Sequence, residues 1–331
     1  MNKAILLHKR PVGMPVLSDF LMLKEEMPVP AEGELLLKTM YVSVDPYLRG
    51  RMNEAKSYIP PFELNKPIQS AIIAEVISSN QTDFKKGDFV SGHLEWKEYQ
   101  VSTGKGLVKV NEKEAKLTAY LGILGMTGLT AYLGLTEIGL PKANETLVVS
   151  GAGGAVGSIV GQLGKLMGCK VVGITGSDEK ADMLTGKFKF DQAINYKTTP
   201  DLKKAIRNTC PDGIDIYFDN VGGEISDAVL MNINKYARIP LCGAISLYNT
   251  TSVPMGPRLQ PLLLTKSATM RGFIIGDFYK KFPEASTQLG IWLKEGKITF
   301  SETIVDGFDN IPQAFLDLFE GKNDGKMIVK V

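Results

Sequence analysis

The chain has 331 residues, of which 44% are hydrophobic and 22% charged, and its formal net charge at pH 7 is +2. These values are typical of a globular protein long enough for two domains, and they give no reason to expect a nucleic-acid or membrane partner. No apolar run approaches the roughly 18 residues of a membrane span, and the N-terminus lacks the apolar core of a signal peptide, so we predict a cytoplasmic protein.

The first third of the chain is rich in short strand-like segments separated by Gly and Pro, which predicts a compact, barrel-like β domain. These segments occupy residues 34–44, 69–77, 84–90, 98–101 and 107–110. Beyond Lys116 the composition shifts to small residues. We interpret residues 121–132 as a helix that leads into the second half of the chain.

A dinucleotide-binding pattern occupies the middle of the chain. Residues 145–150 form a short, β-branched apolar run that is typical of a buried strand, and a glycine-rich turn follows at residues 151–157. Apolar residues then recur at helical spacing up to Met167, and a second apolar strand is predicted at residues 170–174. Strand, glycine turn, helix and strand are the first half of a dinucleotide-binding unit.

The glycines of this turn have separate functions in such a unit. They permit a tight turn, a close approach of the backbone to a pyrophosphate and close packing of the helix on the sheet. Here the spacing is Gly151, Gly154 and Gly157, and Val156 stands where a strict pattern has its last glycine. The alternative is an ordinary strand-to-helix turn, which the flanking strand and helix disfavour.

The end of the second strand predicts which nicotinamide cofactor is used. Enzymes that choose NAD usually carry an acid about 20 residues after the glycine turn, where it binds the ribose 2′-hydroxyl. Residues 175–177 are Thr-Gly-Ser here, and Lys180 follows. A hydroxyl and an ammonium attract a 2′-phosphate, so we predict NADP(H). Asp178 and Glu179 weaken this argument, but acids are also expected in the first turn of a helix.

Strands and helices alternate through the rest of the second half, as a doubly wound sheet requires. Further strands are predicted around residues 191–196, 213–218, 238–243 and 267–275. Pro240 predicts that its strand lies at an edge or carries a bulge. The tail contains an amphipathic helix and a strand at residues 327–329 that we expect to return to the β domain.

The chain resembles the zinc-free medium-chain dehydrogenases/reductases. It is most similar to the alkenal double-bond reductases, a group that includes leukotriene B4 12-hydroxydehydrogenase/15-oxoprostaglandin 13-reductase, plant double-bond reductases and bacterial curcumin reductase. The matching stretches cover nearly the whole chain in the family's order, at residues 41–52, 126–132, 154–157, 172–180, 195–197, 218–223, 242–249 and 325–326. Residues 150–153 and 187–191 depart from the family pattern, and both lie in predicted turns.

The resemblance implies an α/β fold with a GroES-like β-barrel catalytic domain and a Rossmann cofactor domain. We place the catalytic domain at residues 1–122, completed by residues 300–331, and the cofactor domain at residues 123–299. The resemblance also implies NADPH as the cofactor. The residues it assigns to NADPH are Thr130, Gly154, Ala155, Val156, Ser177, Lys180, Tyr196, Asn220, Cys242, Ile245, Phe273, Ile275 and Asn323.

The implied reaction is hydride addition to the β-carbon of an enone or 2-alkenal, which leaves negative charge on the carbonyl oxygen as an enolate. A hydrogen-bond donor aimed at that oxygen lowers the barrier. The resemblance places Tyr248 there as the catalytic residue. Four apolar or aromatic residues are candidates for a lipophilic substrate pocket: Tyr41, Tyr47, Met52 and Met126. The alternative for Cys242, Ile245, Phe273, Ile275 and the pocket residues is ordinary core packing.

Zinc is excluded on the residues themselves, because no cysteine precedes Cys169 and the only histidines are His8 and His93. The other cysteines are Cys210 and Cys242, and we expect all three to be reduced. An NADPH quinone oxidoreductase of the same superfamily is the nearest alternative function, and a non-catalytic NADPH-binding protein is a third. The resemblance further suggests a homodimer.

Overall fold

The structure is a computed structural model that describes all 331 residues. The chain divides into two compact units. The first contains Met1–Gly122, Glu302–Asn323 and Met327–Val331, and the second contains Ile123–Ser301 and Asp324–Lys326. No helix is long and apolar enough to cross a membrane.

The first unit is built on a seven-stranded sheet in which β14, β15, β3, β4, β5 and β7 are neighbours in that order and β6 also pairs with β3. A separate hairpin of β1 and β2 was not expected from the sequence. The strands are β1 (Asn2–Leu7), β2 (Phe20–Glu25), β3 (Leu35–Ser43), β4 (Gln69–Ser79), β5 (Phe89–Glu95), β6 (Tyr99–Ser102), β7 (Val108–Val110), β14 (Glu302–Asp306) and β15 (Lys326–Lys330). The predicted returning strand is β15, which pairs antiparallel with β3.

The core of the first unit is formed by the inward faces of these strands and by helix α9. Trp96 is fully buried, and its Nε1–H donates to Ser70 Oγ at 2.8 Å, so its one polar atom is satisfied. Phe315 of α9 packs against Phe20 and Phe319. Helices of this unit are α1 (Leu48–Arg51) and α9 (Ile311–Phe319), with 3₁₀ turns at Leu17–Asp19, Leu117–Leu121 and Phe308–Asn310.

The second unit contains a six-stranded parallel sheet, with strand order β10-β9-β8-β11-β12-β13. The fold-class prediction of a doubly wound parallel sheet beside a separate sheet domain is therefore confirmed. Its strands are β8 (Thr146–Ser150), β9 (Lys170–Thr175), β10 (Gln192–Asn195), β11 (Ile214–Phe218), β12 (Ile233–Leu241) and β13 (Thr269–Gly272). Both central strands β8 and β11 are almost wholly buried, as their apolar runs predict.

Helices of the second unit connect these strands. They are α2 (Met126–Gly134), α3 (Gly157–Leu166), α4 (Asp178–Gly186), α5 (Leu202–Thr209), α6 (Gly223–Leu230), α7 (Gln260–Lys266) and α8 (Phe282–Lys294). A π turn at Leu135–Gly139 continues α2, and 3₁₀ turns occupy Ile245–Leu247 and Ile275–Lys281. The helix predicted at residues 121–132 begins only at Met126, since a 3₁₀ turn that ends at Leu121 precedes it.

Pro240 predicted that its strand lies at an edge or carries a bulge. The edge position is wrong, whereas an irregularity in the pairing of the strand is present. Its strand β12 lies between β11 and β13, and Pro240 is paired with Arg271 of β13. The Pro240 carbonyl accepts the Asp219 N–H at 3.0 Å, so it still takes part in the β11–β12 pairing. The β11–β12 register does shift, but between Ile214 and Ile216, where β12 contains Tyr236 with a positive φ of 65°.

Candidate active site

The glycine turn joins β8 to α3 at the carboxyl edge of the parallel sheet. Gly151 has a φ of 60°, and its carbonyl accepts the Gly154 N–H at 3.0 Å. Helix α3 begins at Gly157, where a Cβ would lie 2.4 Å from Gly151 O and 2.8 Å from Ala152 Cα. Gly157 is therefore the glycine that permits close packing, one position after the Val156 of the strict pattern. Gly154, Ala155 and Val156 are half-buried in this turn.

The last connection of the chain lies against the same turn. The Gly325 N–H donates to Gly153 O at 2.9 Å, and Gly325 and Gly154 form a parallel bridge. Gly325 has a φ of 68°, and a Cβ there would lie 2.0 Å from Ser301 O. A glycine is thus required at Gly325 to hold the turn from outside.

Lys180 extends from α4 across the glycine turn. A Cβ at Gly153 would lie 3.0 Å from Lys180 Cδ and 3.1 Å from Thr175 Oγ1, so the absence of a side chain there makes room for the lysine. Burial lowers the pKa of Lys180, the Asp324 carboxylate opposes this, and the Lys197 ammonium adds to it. The lysine therefore lies between the turn and the end of β9, as the prediction of an NADP site requires.

Ser177 has a structural function in α4. It is the N-cap of α4, and its Oγ accepts the Lys180 N–H at 3.2 Å. A serine hydroxyl can accept and donate at once, so its proton is still a possible donor to an anion.

Tyr196 and Lys197 follow β10 directly and face the same strand end. A Cβ at Gly176 would lie 3.3 Å from both Tyr196 Oη and Lys197 Cε. Tyr196 was predicted as a cofactor residue, and Lys197 was not. The sequence places Lys197 immediately after the third strand, beside Tyr196.

A buried carboxylate organises the ends of β8 and β11. Asp219 is fully buried, and its Oδ1 accepts hydrogen bonds of 2.8–2.9 Å from Ser150 Oγ, Tyr217 Oη and the N–H groups of Val221 and Gly222. Its Oδ2 has no partner. Such a network holds the turn after β11 in one conformation. The sequence reasoning did not identify Asp219 as part of the site.

Asn220 makes two hydrogen bonds to Ser150, the last residue of β8. Its N–H donates to Ser150 Oγ at 3.0 Å, and its Nδ2 donates to Ser150 O at 2.8 Å. The structure therefore fixes Asn220 beside the start of the glycine turn.

Cys242 and Ile245 lie in the segment that follows β12. The N–H groups of Cys242 and Gly243 donate to Asp219 O at 2.8 and 3.1 Å, which attaches this segment to the end of β11. Burial, with a contribution from the Asp219 carboxylate, raises the pKa of the Cys242 thiol to about 12. The thiol is therefore neutral at pH 7. Ile245 begins the 3₁₀ turn Ile245–Leu247 and is half-buried.

The Tyr248 phenol lies over the carboxyl ends of β11 and β12. Its Oη accepts the Ala244 N–H at 3.4 Å, and a Cβ at Gly243 would lie 3.4 Å from that oxygen and 3.1 Å from Asn220 O. Tyr248 is half-buried. The structure therefore brings Tyr248 together with the Cys242 segment and Asn220.

Phe273 and Thr130 each have a local structural contact. The Phe273 ring makes edge contacts with Phe218 and Phe278 at centroid distances of 6.3 and 6.2 Å, which agrees with the core alternative for this residue. Thr130 Oγ1 donates to Met126 O at 2.8 Å within α2. Met126 itself is 43% exposed, and Ile275 is half-buried.

The remaining predicted residues belong to the first unit. Met52 has no exposed surface and packs in the core of that unit, which agrees with the core alternative, and its place in a substrate pocket stays a prediction. Tyr41 and Tyr47 are partly buried against core clusters. Burial raises the pKa of Tyr47, the Asp45 carboxylate adds to this, and Arg51 opposes it. Asn323 is half-buried.

The three cysteines are free thiols, and no group of three or more His, Cys, Asp or Glu side chains is placed to hold a metal ion. His8 Nδ1 lies 3.0 Å from Asn65 Oδ1, so its side-chain partner is an amide and not another metal-binding group.

We expect the purified protein to contain no stoichiometric zinc and to keep its activity in chelator. The physical reason is that tetrahedral zinc sites need three or four Cys, His or acidic ligands converging on one point. Elemental analysis before and after dialysis against chelator checks this. One zinc per chain, lost together with activity, would overturn the expectation.

Two family descriptions match the chain. Residues 3–110 match the N-terminal domain of oxidoreductase, and residues 155–290 match zinc-binding dehydrogenase.

Individual proteins match over almost the full length. The NADPH-dependent curcumin reductase of Escherichia coli (strain K12) is 43% identical, and the NADP(+)-dependent 2-alkenal reductase of Nicotiana tabacum is 42% identical. Each alignment covers 100% of this chain and 97% of the relative. The crystal structure of CurA from Vibrio vulnificus in complex with NADPH is 44% identical, covers 99% of both chains and has a TM-score of 0.95.

Proposed function

The chain belongs to the medium-chain dehydrogenase/reductase superfamily, and we propose that it reduces the α,β double bond of enones and 2-alkenals with NADPH. The membership confirms the family resemblance and the prediction of an NADP-dependent oxidoreductase. The observation that carries the proposal is the full-length identity of 42% to a 2-alkenal reductase.

The second unit has the donors and the space that NADPH needs. The N–H groups of the glycine turn at the start of α3 suit a pyrophosphate, because free N–H groups and the helix dipole both favour an anion. Ser177, Lys180 and Tyr196 surround the end of β9, where a 2′-phosphate would bind, and no acid occupies the position that selects NAD. Gly153 and Gly176 leave space at this strand end, because a Cβ at either position would contact the side chains around it.

The residues assigned to the rest of the cofactor follow the same edge of the sheet. We assign Asn220 to the ribose because its side chain is fixed beside the glycine turn. We assign Cys242 and Ile245 to the nicotinamide end, where a neutral thiol and an aliphatic side chain give an uncharged surface. The same assignment for Thr130, Phe273, Ile275 and Asn323 rests on the family alone.

NADPH, when bound, supplies the hydride that adds to the substrate β-carbon. Among the residues of this chain, we assign the catalytic role to Tyr248. Its phenol donates a hydrogen bond to the carbonyl oxygen as negative charge develops there, which stabilises the enolate. The same hydroxyl is suited to deliver a proton towards the α-carbon. The support for this role is the position of the hydroxyl at the ends of β11 and β12.

We also propose a homodimer and a cytoplasmic location. Strand β13 is the last strand of the parallel sheet, so its outer edge has no neighbour within the chain, and Arg271 and Gly272 are exposed on it. An exposed strand edge is a template for pairing with a second copy.

The expected substrate is a small lipophilic enone or alkenal.

We expect NADPH oxidation to be faster with 2-alkenals and enones than with quinones. A hydrogen-bond donor at a developing enolate accelerates double-bond reduction in particular, since the charge appears on that one oxygen. The measurement is a panel of 2-alkenals, enones and quinones, with product identification by mass spectrometry. Saturated carbonyl products support the proposal. Quinols as the only products would instead assign the chain to the quinone oxidoreductases.

A further inference from the structure

The end of strands β9 and β10 carries two lysines, and only Lys180 has been assigned to the cofactor above. We propose that Lys197 is a second specificity-determining residue, which binds the adenosine 2′-phosphate together with Lys180. The proposal rests on the assignment of NADPH as the cofactor and deepens it.

The placement of Lys197 supports this role. Its Cε lies 3.3 Å from the position of a Cβ at Gly176, and Tyr196 Oη lies at the same distance from that point. Gly176 separates Thr175, the last residue of β9, from Ser177, the cap of α4. Since the ammonium is one bond beyond Cε, Lys197 presents its charge at the same strand end as the Ser177 hydroxyl and the Tyr196 phenol.

Asn195 is a positioning residue for this lysine. Its Oδ1 accepts the Lys197 N–H at 3.0 Å, and its carbonyl accepts Thr199 Oγ1–H at 2.6 Å, so the turn after β10 is held in one conformation. Its Nδ2 donates to Asp178 Oδ1 at 2.8 Å. That bond satisfies part of the Asp178 carboxylate at the start of α4, which leaves it less available to the cations of this strand end.

The charge of a 2′-phosphate also favours a second cation at this strand end. A phosphate monoester carries about −1.5 to −2 charges at pH 7. Lys180 supplies one positive charge, and the Asp324 carboxylate already interacts with it while burial lowers its pKa. A single, partly compensated ammonium therefore leaves most of the phosphate charge unpaired. Lys197 faces the same region and is exposed. Its ammonium is therefore hydrated before a phosphate binds.

The test uses adenosine 2′,5′-bisphosphate and ADP as probes, measured by calorimetry on the full-length protein. ADP lacks the 2′-phosphate, so it reports binding at the rest of the adenosine site. The variants are Lys197→Ala, Lys197→Gln, Lys180→Ala and the double variant. Lys235→Ala is the matched control, because it removes the same charge from the opposite edge of the parallel sheet, near the start of β12.

We expect Lys197→Ala and Lys197→Gln each to weaken binding of the bisphosphate by roughly 5- to 20-fold, the scale of one charge-assisted contact. Binding of ADP should change by less than about twofold, and the loss should shrink at high salt because the lysine is exposed. In steady-state kinetics the KM for NADPH should rise in both variants, with kcat and the kinetics with NADH unchanged. Lys235→Ala should bind both probes as the wild type does.

Wild-type binding of the bisphosphate in both Lys197 variants would overturn the inference, as would equal losses for the two probes. Thermal melting of each variant separates a lost contact from a folding defect, and the two Lys197 substitutions keep the test valid if one of them folds poorly. Failure of the cofactor assignment looks different. In that case Lys180→Ala would change the affinity for neither probe.

Discussion

Tyr248→Phe is expected to lower kcat for an enone by about 10- to 1000-fold, the range for the loss of one donor to a developing oxyanion. The substitution keeps the aromatic ring and removes only the hydroxyl that lies beside Ala244 and Gly243. Affinity for NADPH, followed by fluorescence titration, should stay nearly constant. Quinone reduction should suffer less, because water can also serve a quinone oxygen.

The matched control for this substitution is Tyr279→Phe, which removes a hydroxyl from an exposed tyrosine in the 3₁₀ turn Ile275–Lys281. It should leave kcat unchanged. An unchanged kcat for enones in Tyr248→Phe would contradict the catalytic assignment and leave solvent or the cofactor ribose as the proton source.

Gly157→Ala is expected to destabilise the second unit by about 2–4 kcal/mol and to abolish tight NADPH binding. The added Cβ would lie 2.4 Å from Gly151 O and 2.8 Å from Ala152 Cα, and both are backbone atoms that no side-chain rotation can move away. The helix would have to withdraw from the turn, and the N–H groups that suit a pyrophosphate would move with it. Calorimetric melting should show a loss of roughly 6–12 °C for the transition of this unit.

Gly290→Ala is the control for that experiment. Gly290 lies inside α8, and a Cβ there would meet no atom within 4 Å. Alanine has the higher helix propensity, so this variant should melt at the same temperature or slightly higher. If Gly157→Ala also melted like the wild type and bound NADPH, the close-packing role of Gly157 would be disproved.

Local patterns of the sequence were sufficient to predict much of the second unit. The apolar, β-branched runs of β8 and β9 are long enough to identify strands buried on both faces, and the glycine turn between β8 and α3 is unmistakable beside them. The choice of NADP followed from Ser177 and Lys180, because the chemistry of a phosphate site depends on residue type at one known position.

Predictions that depended on which segments are neighbours in the folded structure were less successful. Pro240 indicated an edge strand or a bulge, and the sequence could not choose between them, because strand order is set by pairings between segments far apart in sequence. The structure makes β12 internal, with a register shift against β11. Met52 was a candidate for a pocket because an apolar residue can face either a ligand or the core. The packing of the first unit, which places it in a core cluster, is not visible in the sequence.

The sequence by itself determined the fold class, the nucleotide-binding turn and the type of cofactor, since each depends on spacing within about 30 residues of chain. The tertiary structure alone decided which side chains meet. It brought Lys197 to Gly176, tied the segment after β12 to the buried Asp219, and placed the Tyr248 hydroxyl beside Ala244. The first two contacts join strand ends that are neighbours in the sheet but separate in the chain, and no local periodicity specifies them. The third is local to the segment after β12, whose position the bonds to Asp219 determine.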